Sequence, residues 1–315
     1  MKVIRSLIIG ALIFAALFIG IAFASGASLD SIIDSFNEND TYILQDPIVY
    51  EENMDTLNIE VEDRSITIEP TTASTITIEH YRKDDETWDI DLSDGVLSIT
   101  QTKDRDFFDW FNWGITMQDK KQIVVMIPET YMFDVDMSTH TGDITFADFD
   151  ELKDVSIKTT TGDILLENYS SSKLNIESNT GDVTLDQITV TNQLEVEVTT
   201  GDIRVKEVDA NAMTLSATTG NIHVDHATTH AISTNTNTGD IQIEDVMADT
   251  FDLSASTGQI KVIDVDLENR SLYLDTNTGD IIVDGYRQGN QYTYVNDENY
   301  YIDASTSTGD IKINP

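Results

Sequence analysis

The sequence predicts an all-β protein: a right-handed parallel β-solenoid of about nine coils, each about 19–20 residues long, behind an N-terminal β head. Three observations lead there. A Thr-Gly pair, followed by a polar residue and then Ile or Val, begins at Thr141, Thr161, Thr180, Thr200, Thr219, Thr238, Thr257, Thr278 and Thr308, at intervals of 20, 19, 20, 19, 19, 19, 21 and 30 residues. With that Thr as position zero, −6 is apolar in all nine units and −4 in eight, Thr234 being the exception. Position +3 is always Ile or Val and +5 is always apolar, from Phe146 to Ile313, so these columns define an inner face. The third observation is a change of parity. A two-residue hairpin would continue the face of 0, −2 and −4 at +3, +5 and +7. Here +7 is polar at Asn168, Gln187, Glu207, His226, Asp245 and Asp264, whereas +8 is apolar in all eight units that reach it, Phe149 through Tyr286. The chain therefore bends after +5, and each unit coils around a common interior with its neighbours about 4.8 Å away.

The Thr-Gly-Asp corner follows from that geometry. Gly142, Gly162, Gly181, Gly201, Gly220, Gly239, Gly258, Gly279 and Gly309 supply positive φ, and the Asp beside seven of them, with Asn221 and Gln259 at the other two, accepts backbone N–H bonds. The Thr shares the inner-face parity, which predicts an inward methyl and a hydroxyl on the corner backbone.

The remaining segments divide by pattern. Residues 1–25 are a signal peptide or membrane anchor: Lys2 and Arg5 precede an uncharged run of 18 residues, Leu7 to Ala24, which places the rest of the chain outside the cytoplasm. Ala22-Phe23-Ala24 suits cleavage, while the length suits a span, so both readings stand. Residues 26–53 form a short helix and linker, with Leu29, Ile32, Ile33 and Phe36 on one face behind Ser28. Residues 54–128 alternate apolar and polar residues as strands of a sandwich-like or irregular head, and residues 129–315 are the repeat solenoid.

Composition excludes several functions. The 315 residues carry a formal charge of −39, which repels nucleic acid and anionic lipid. There is no cysteine, hence no disulfide, thiolate metal site or cysteine nucleophile. No coil gathers carboxylates beside a base as a lyase or hydrolase requires, and no G-x-S-x-G, H-E-x-x-H or phosphate loop occurs, so no enzyme and no cofactor is expected.

Binding candidates remain. Stacking puts Asp143, Asp163, Asp182 and Asp202 in one column, where like charges about 4.8 Å apart repel by roughly 1 kcal/mol in water and calcium would relieve them. One carboxylate per coil is nevertheless a thin ligand set, and a solvated row of turn caps accounts for it too. The −1 row is too mixed for a regular Thr array, and His223, His226 and His230 share one ligand only if a corner gathers them. Trp110, Phe111 and Trp113, within a run of five aromatics in seven residues, read either as a plug on the β core or as a contact with a membrane or partner. Tyr292 and Tyr294 sit in the long last interval, which caps the final coil, binds a partner, or both.

The N-terminal apolar segment, the stretch "IVVMIPETYMFDVDMSTHTGDI" and the tandem "TGDI" units closing on "TSTGDIKI" resemble the bacterial DUF4097 family over residues 54 to 315. The resemblance implies a cell-surface adhesin with β-strand repeats, common in Gram-positive bacteria, with links in some members to envelope-stress responses. It brings no catalytic residues. The expected partner is thus a cell-envelope component, or a membrane protein if the chain is a stress sensor, with the membrane reached through the N-terminal segment. Oligomeric state is open.

Overall fold

The structure is a computed structural model and describes residues 42–103 and 121–315. The N-terminal apolar segment, the helix expected at 28–36 and the aromatic run with Trp110, Phe111 and Trp113 lie outside the described residues. Among the described residues every regular element is a β-strand.

The strands stack coil upon coil in parallel. Asp154–Thr161 pairs with Asp134–Thr141 on one side and with the second half of Ile164–Thr180 on the other, so that Ile157 lies between Met137 and Ile176. The second face repeats this: Ile144 and Phe146 stand opposite Ile164 and Leu166. Ile164–Thr180, Val183–Thr200 and Ile203–Thr219 each run through a bend without leaving the ladder.

That bend explains the parity change. Position +7 takes a left-handed conformation at Asn168, Gln187, Glu207, His226, Asp245 and Asp264, with φ between 49° and 56°. One left-handed residue reverses the alternation, so +5 and +8 both point inward: Leu166 and Tyr169, or Val205 and Val208, are buried within one coil. Polar residues occupy the position because Asn and Asp tolerate this backbone best and the side chain faces water. Tyr286 departs from the +8 rule and is 72% exposed, because the chain leaves the coil at Asp284-Gly285 and enters a hairpin.

The ladder crosses the boundary expected at residue 128. Thr56–Val61 pairs in parallel with Asp134–Thr141, and Ser65–Thr71 with Ile144–Phe149, in the register of the repeats: Leu57, Ile59, Ile66 and Ile68 continue the columns of Val135, Met137, Ile144 and Phe146. On the far side this coil is flanked by Val96–Lys103 and Gln122–Pro128, again in parallel. Chain order and spatial order therefore differ: residues 56–71 lie between strands that come after them in sequence. The other end is built alike. Asp297–Thr308 lies between Thr250–Thr257 and Arg270–Thr278, and Ile311–Asn314 between Ile260–Ile263 and Ile281–Val283. The hairpin of the long interval covers the outer edge: Gln291–Tyr294 runs antiparallel to Arg270–Thr278, and Tyr286–Gly289 antiparallel to Ile281–Val283. A single hydrophobic core, from Met54 to Ile313, fills the interior.

Candidate functional site

The nine corner glycines stack in one column along the rod. Their φ values lie between 141° and 156°, and the chain one coil away comes very close. A Cβ on Gly162 would stand 2.1 Å from the Gly142 carbonyl oxygen, and one on Gly220 1.8 Å from that of Gly201. Glycine is thus required by contact between neighbouring backbones as well as by φ. Corner amides also bond across coils, as Gly162 N donates to Thr180 O at 3.0 Å and Ile164 N to Asp182 O at 2.9 Å.

The Asp column is bonded along the same axis but in the opposite sense, each amide donating to the coil before it. Asp163 N donates to Asp143 Oδ1 at 2.9 Å, Asp182 N to Asp163 Oδ1 at 2.8 Å, Asp202 N to Asp182 Oδ1 at 2.9 Å and Asn221 N to Asp202 Oδ1 at 2.8 Å. Asn221 passes the ladder on through its amide oxygen, which accepts Asp240 N at 2.8 Å, so Asn interrupts the acidic row without interrupting the bonds. Ser65 starts it, its hydroxyl accepting Asp143 N at 3.1 Å. These carboxylates serve the neighbouring coil, whereas the turn pattern alone predicts that they cap their own corner.

Arg204 clamps two outer oxygens, donating to Asp182 Oδ2 at 2.7 Å and Asp202 Oδ2 at 2.8 Å. Burial works to raise the Asp182 pKa, but the Arg204 hydrogen bond, the Asp202 N–H and the Arg204 charge together hold it below the ordinary carboxylate value. Among the described residues no group of three or more His, Cys, Asp or Glu is gathered to hold a metal ion, and Asp143, Asp163, Asp182 and Asp202 each commit one oxygen to the ladder.

The corner threonines differ from expectation. All nine are exposed, because the ladder pairs −2 with −2 and 0 with 0 but skips −1, and the alternation breaks there. The hydroxyls that reach the corner backbone come from −2 instead: Thr139 donates to Arg64 O at 2.9 Å, Thr236 to Gly220 O at 3.0 Å, Thr276 to Gly309 O at 2.9 Å and Thr306 to Gly258 O at 3.1 Å.

The histidines are not gathered. His226 bridges Asp225 at 2.6 Å and Asp245 at 3.2 Å, and His230 meets Asp249 at 3.0 Å, all on the exposed surface. In the terminal hairpin Tyr292 packs partly against the core, while Tyr294 is exposed together with Val295 and Tyr300. A cleft of about 680 Å³ near the other end is lined by Glu51, Glu129, Tyr131 and the hydroxyls of Thr71, Thr72, Ser74 and Thr75, without Lys, Arg or His.

Sequence reasoning missed Arg64. It takes the glycine place in the coil of residues 56–71 and is fully buried, its guanidinium paired with Glu86 and 5.7 Å from the Trp88 ring centre. Glu86 also accepts Lys83 N at 3.0 Å and Trp88 Nε1 at 3.3 Å. The signal was present: "LNIEVEDRSITI" carries the repeat's apolar columns without its Thr-Gly.

The Toastrack DUF4097 profile matches residues 54–234 and 220–315. No curated protein matches the chain. Among solved structures, a "putative adhesin" from Bacteroides fragilis aligns over 88% of this chain and 99% of its own at 16% identity and a TM-score of 0.48. A "putative cell adhesion protein" from Clostridium sporogenes aligns over 87% of this chain and 99% of its own at 9% identity and a TM-score of 0.23.

Proposed function

We propose that this chain, which belongs to the Toastrack DUF4097 family, is a non-enzymatic protein of the cell envelope that binds or scaffolds an envelope component. The observation that carries this reading is the sameness of the coils. Along the corner edge most coils present one side-chain oxygen, engaged by a backbone N–H next door. The carboxylates that pair around Arg204, Asp182 and Asp202, and around His226, Asp225 and Asp245, sit on the outer surface, and the cleft that holds Glu51 and Glu129 is lined by no Lys, Arg or His. A surface repeating about every 4.8 Å suits a ligand that also repeats, because each coil adds the same weak contact and the second contact is made at high effective concentration. The charge of −39 favours a neutral or cationic ligand over anionic lipid or nucleic acid. In this reading the basic and then apolar N-terminal segment places the rod outside the cytoplasm.

Co-sedimentation of residues 26 to 315 with isolated cell walls and with membrane vesicles, in calcium and in EDTA, tests it. Wall binding that survives EDTA supports the reading and directs attention to the tyrosine hairpin. Binding lost in EDTA assigns the contact to a metal bridging the Asp column. Binding to neither overturns an envelope-polymer ligand and leaves a protein partner, as for a stress sensor acting on a membrane protein.

A further inference from the structure

The C-terminal coil, Asp297–Thr308 with Ile311–Asn314, occupies a slot that the chain does not need it to fill. From Thr257 to Thr278 there are 21 residues, the length of one ordinary coil. In space these two threonines are two coils apart, because Thr308 pairs with both. The segment between them is stretched over two steps of the ladder where every similar interval covers one.

The bonds on the two sides of the slot are of the same kind. Gly258 N donates to Thr308 O and Gly309 N to Thr278 O, both at 2.9 Å; Ile260 N donates to Asp310 O and Ile311 N to Asp280 O, both at 3.0 Å. With the C-terminal coil withdrawn, Thr278 O and Asp280 O would present to Gly258 and Ile260 the same acceptors that Thr308 and Asp310 present now. Thr276, which now donates to Gly309 O, would meet Gly258 O as Thr306 does. The inner columns also match in either order: Phe251, Ile302 and Leu272; Ile260, Ile311 and Ile281; Val262, Ile313 and Val283. Closing the slot therefore costs little beyond the burial of one coil, and reopening it exposes two complementary edges.

We propose that the C-terminal coil is exchangeable between copies, leaving its own slot and seating in the equivalent slot of a second copy of this chain. Reciprocal exchange reproduces every contact of the closed form and joins two rods at their C-terminal ends in a closed two-fold pair. The slot lies just beneath the capping hairpin, where the chain already runs out of order.

Cysteine trapping reads the exchange directly, since the chain has no cysteine of its own. Ser254 and Ser305 are ladder partners on the outer face across the slot, and neighbouring strands about 4.8 Å apart lie within the Cα range of a disulfide. Lys261 and Lys312 are partners on the other face. A full-length S254C/S305C chain, oxidised, is expected to lock within one molecule, and so is K261C/K312C; failure of both locks overturns the slot itself. A tagged S254C chain is then warmed with an untagged S305C chain and oxidised, and K261C with K312C likewise. The control pair is S216C with N235C, ladder partners in the middle of the rod. Disulfide-linked heterodimer in excess of the control by about tenfold or more is the expected result for a swapped terminal element. Heterodimer no more abundant than in the control, with the locks forming normally, overturns the exchange.

Discussion

Asp163 Oδ1 accepts the backbone N–H of Asp182 at 2.8 Å, so the carboxylate of this corner belongs energetically to the next coil. What this relationship requires is an acceptor at the right reach, and charge is secondary. Asp163→Asn is therefore expected to cost under about 0.5 kcal/mol, since Asn221 already does the same work, whereas Asp163→Ala should cost about 1 kcal/mol by removing the acceptor. Urea denaturation of the two variants checks the order; equal losses would mean the charge and not the bond matters.

Gly201 and Gly285 separate the two reasons for glycine. A Cβ on Gly201 would lie 2.0 Å from Gly181 O, while one on Gly285, at φ +77°, meets nothing within 4 Å. Gly285→Ala should cost about 1 kcal/mol from φ alone, and Gly201→Ala several times more, because two stacked backbones must part. Thermal unfolding of both variants decides it, with similar melting points counting against the close-approach argument.

Asp303 lies opposite Asp252 on adjacent strands, and burial first, then the Asp252 charge, raises its pKa above the ordinary 3.8. A carboxyl that holds its proton more tightly when folded loses stability as pH rises from the unfolded value through the folded one. Asp303→Asn is thus expected to raise the melting point at pH 7, with the advantage shrinking as pH falls toward 3.8. A pH-independent gain would point to packing instead of charge.

Thr234 interrupts the −4 column between Leu215 and Leu253, buried and with its hydroxyl unpartnered. Thr234→Val keeps the shape and removes an unsatisfied polar group, so stability should rise by about 1 kcal/mol. Chemical denaturation gives the answer, and a loss would show that the hydroxyl finds a partner in solution.

The coil, its corners and its inner columns were legible in the sequence because they depend on local rules applied at every period. Gly at +1, an acceptor at +2 and apolar residues at −6, −4, +3, +5 and +8 say where the chain turns and which face is buried. The zero position was misread for a local reason as well: the skipped residue at −1 turns Thr200 and its equivalents outward, and nothing in the alternation announces it. Arg64 was missed because it holds the corner position of its coil without the Thr-Gly pair, and without the positive φ, that marks the other corners.

The order of the coils was decided only in the tertiary structure. Any two coils offer each other the same amides, carbonyls and apolar columns, so a repeating sequence contains no local preference for which coil stacks on which. What breaks the tie is at the ends, where exposed ladder edges must be covered. Residues 56–71 are sandwiched at one end and residues 297–314 at the other, with the antiparallel hairpin of residues 286–294 closing the last edge.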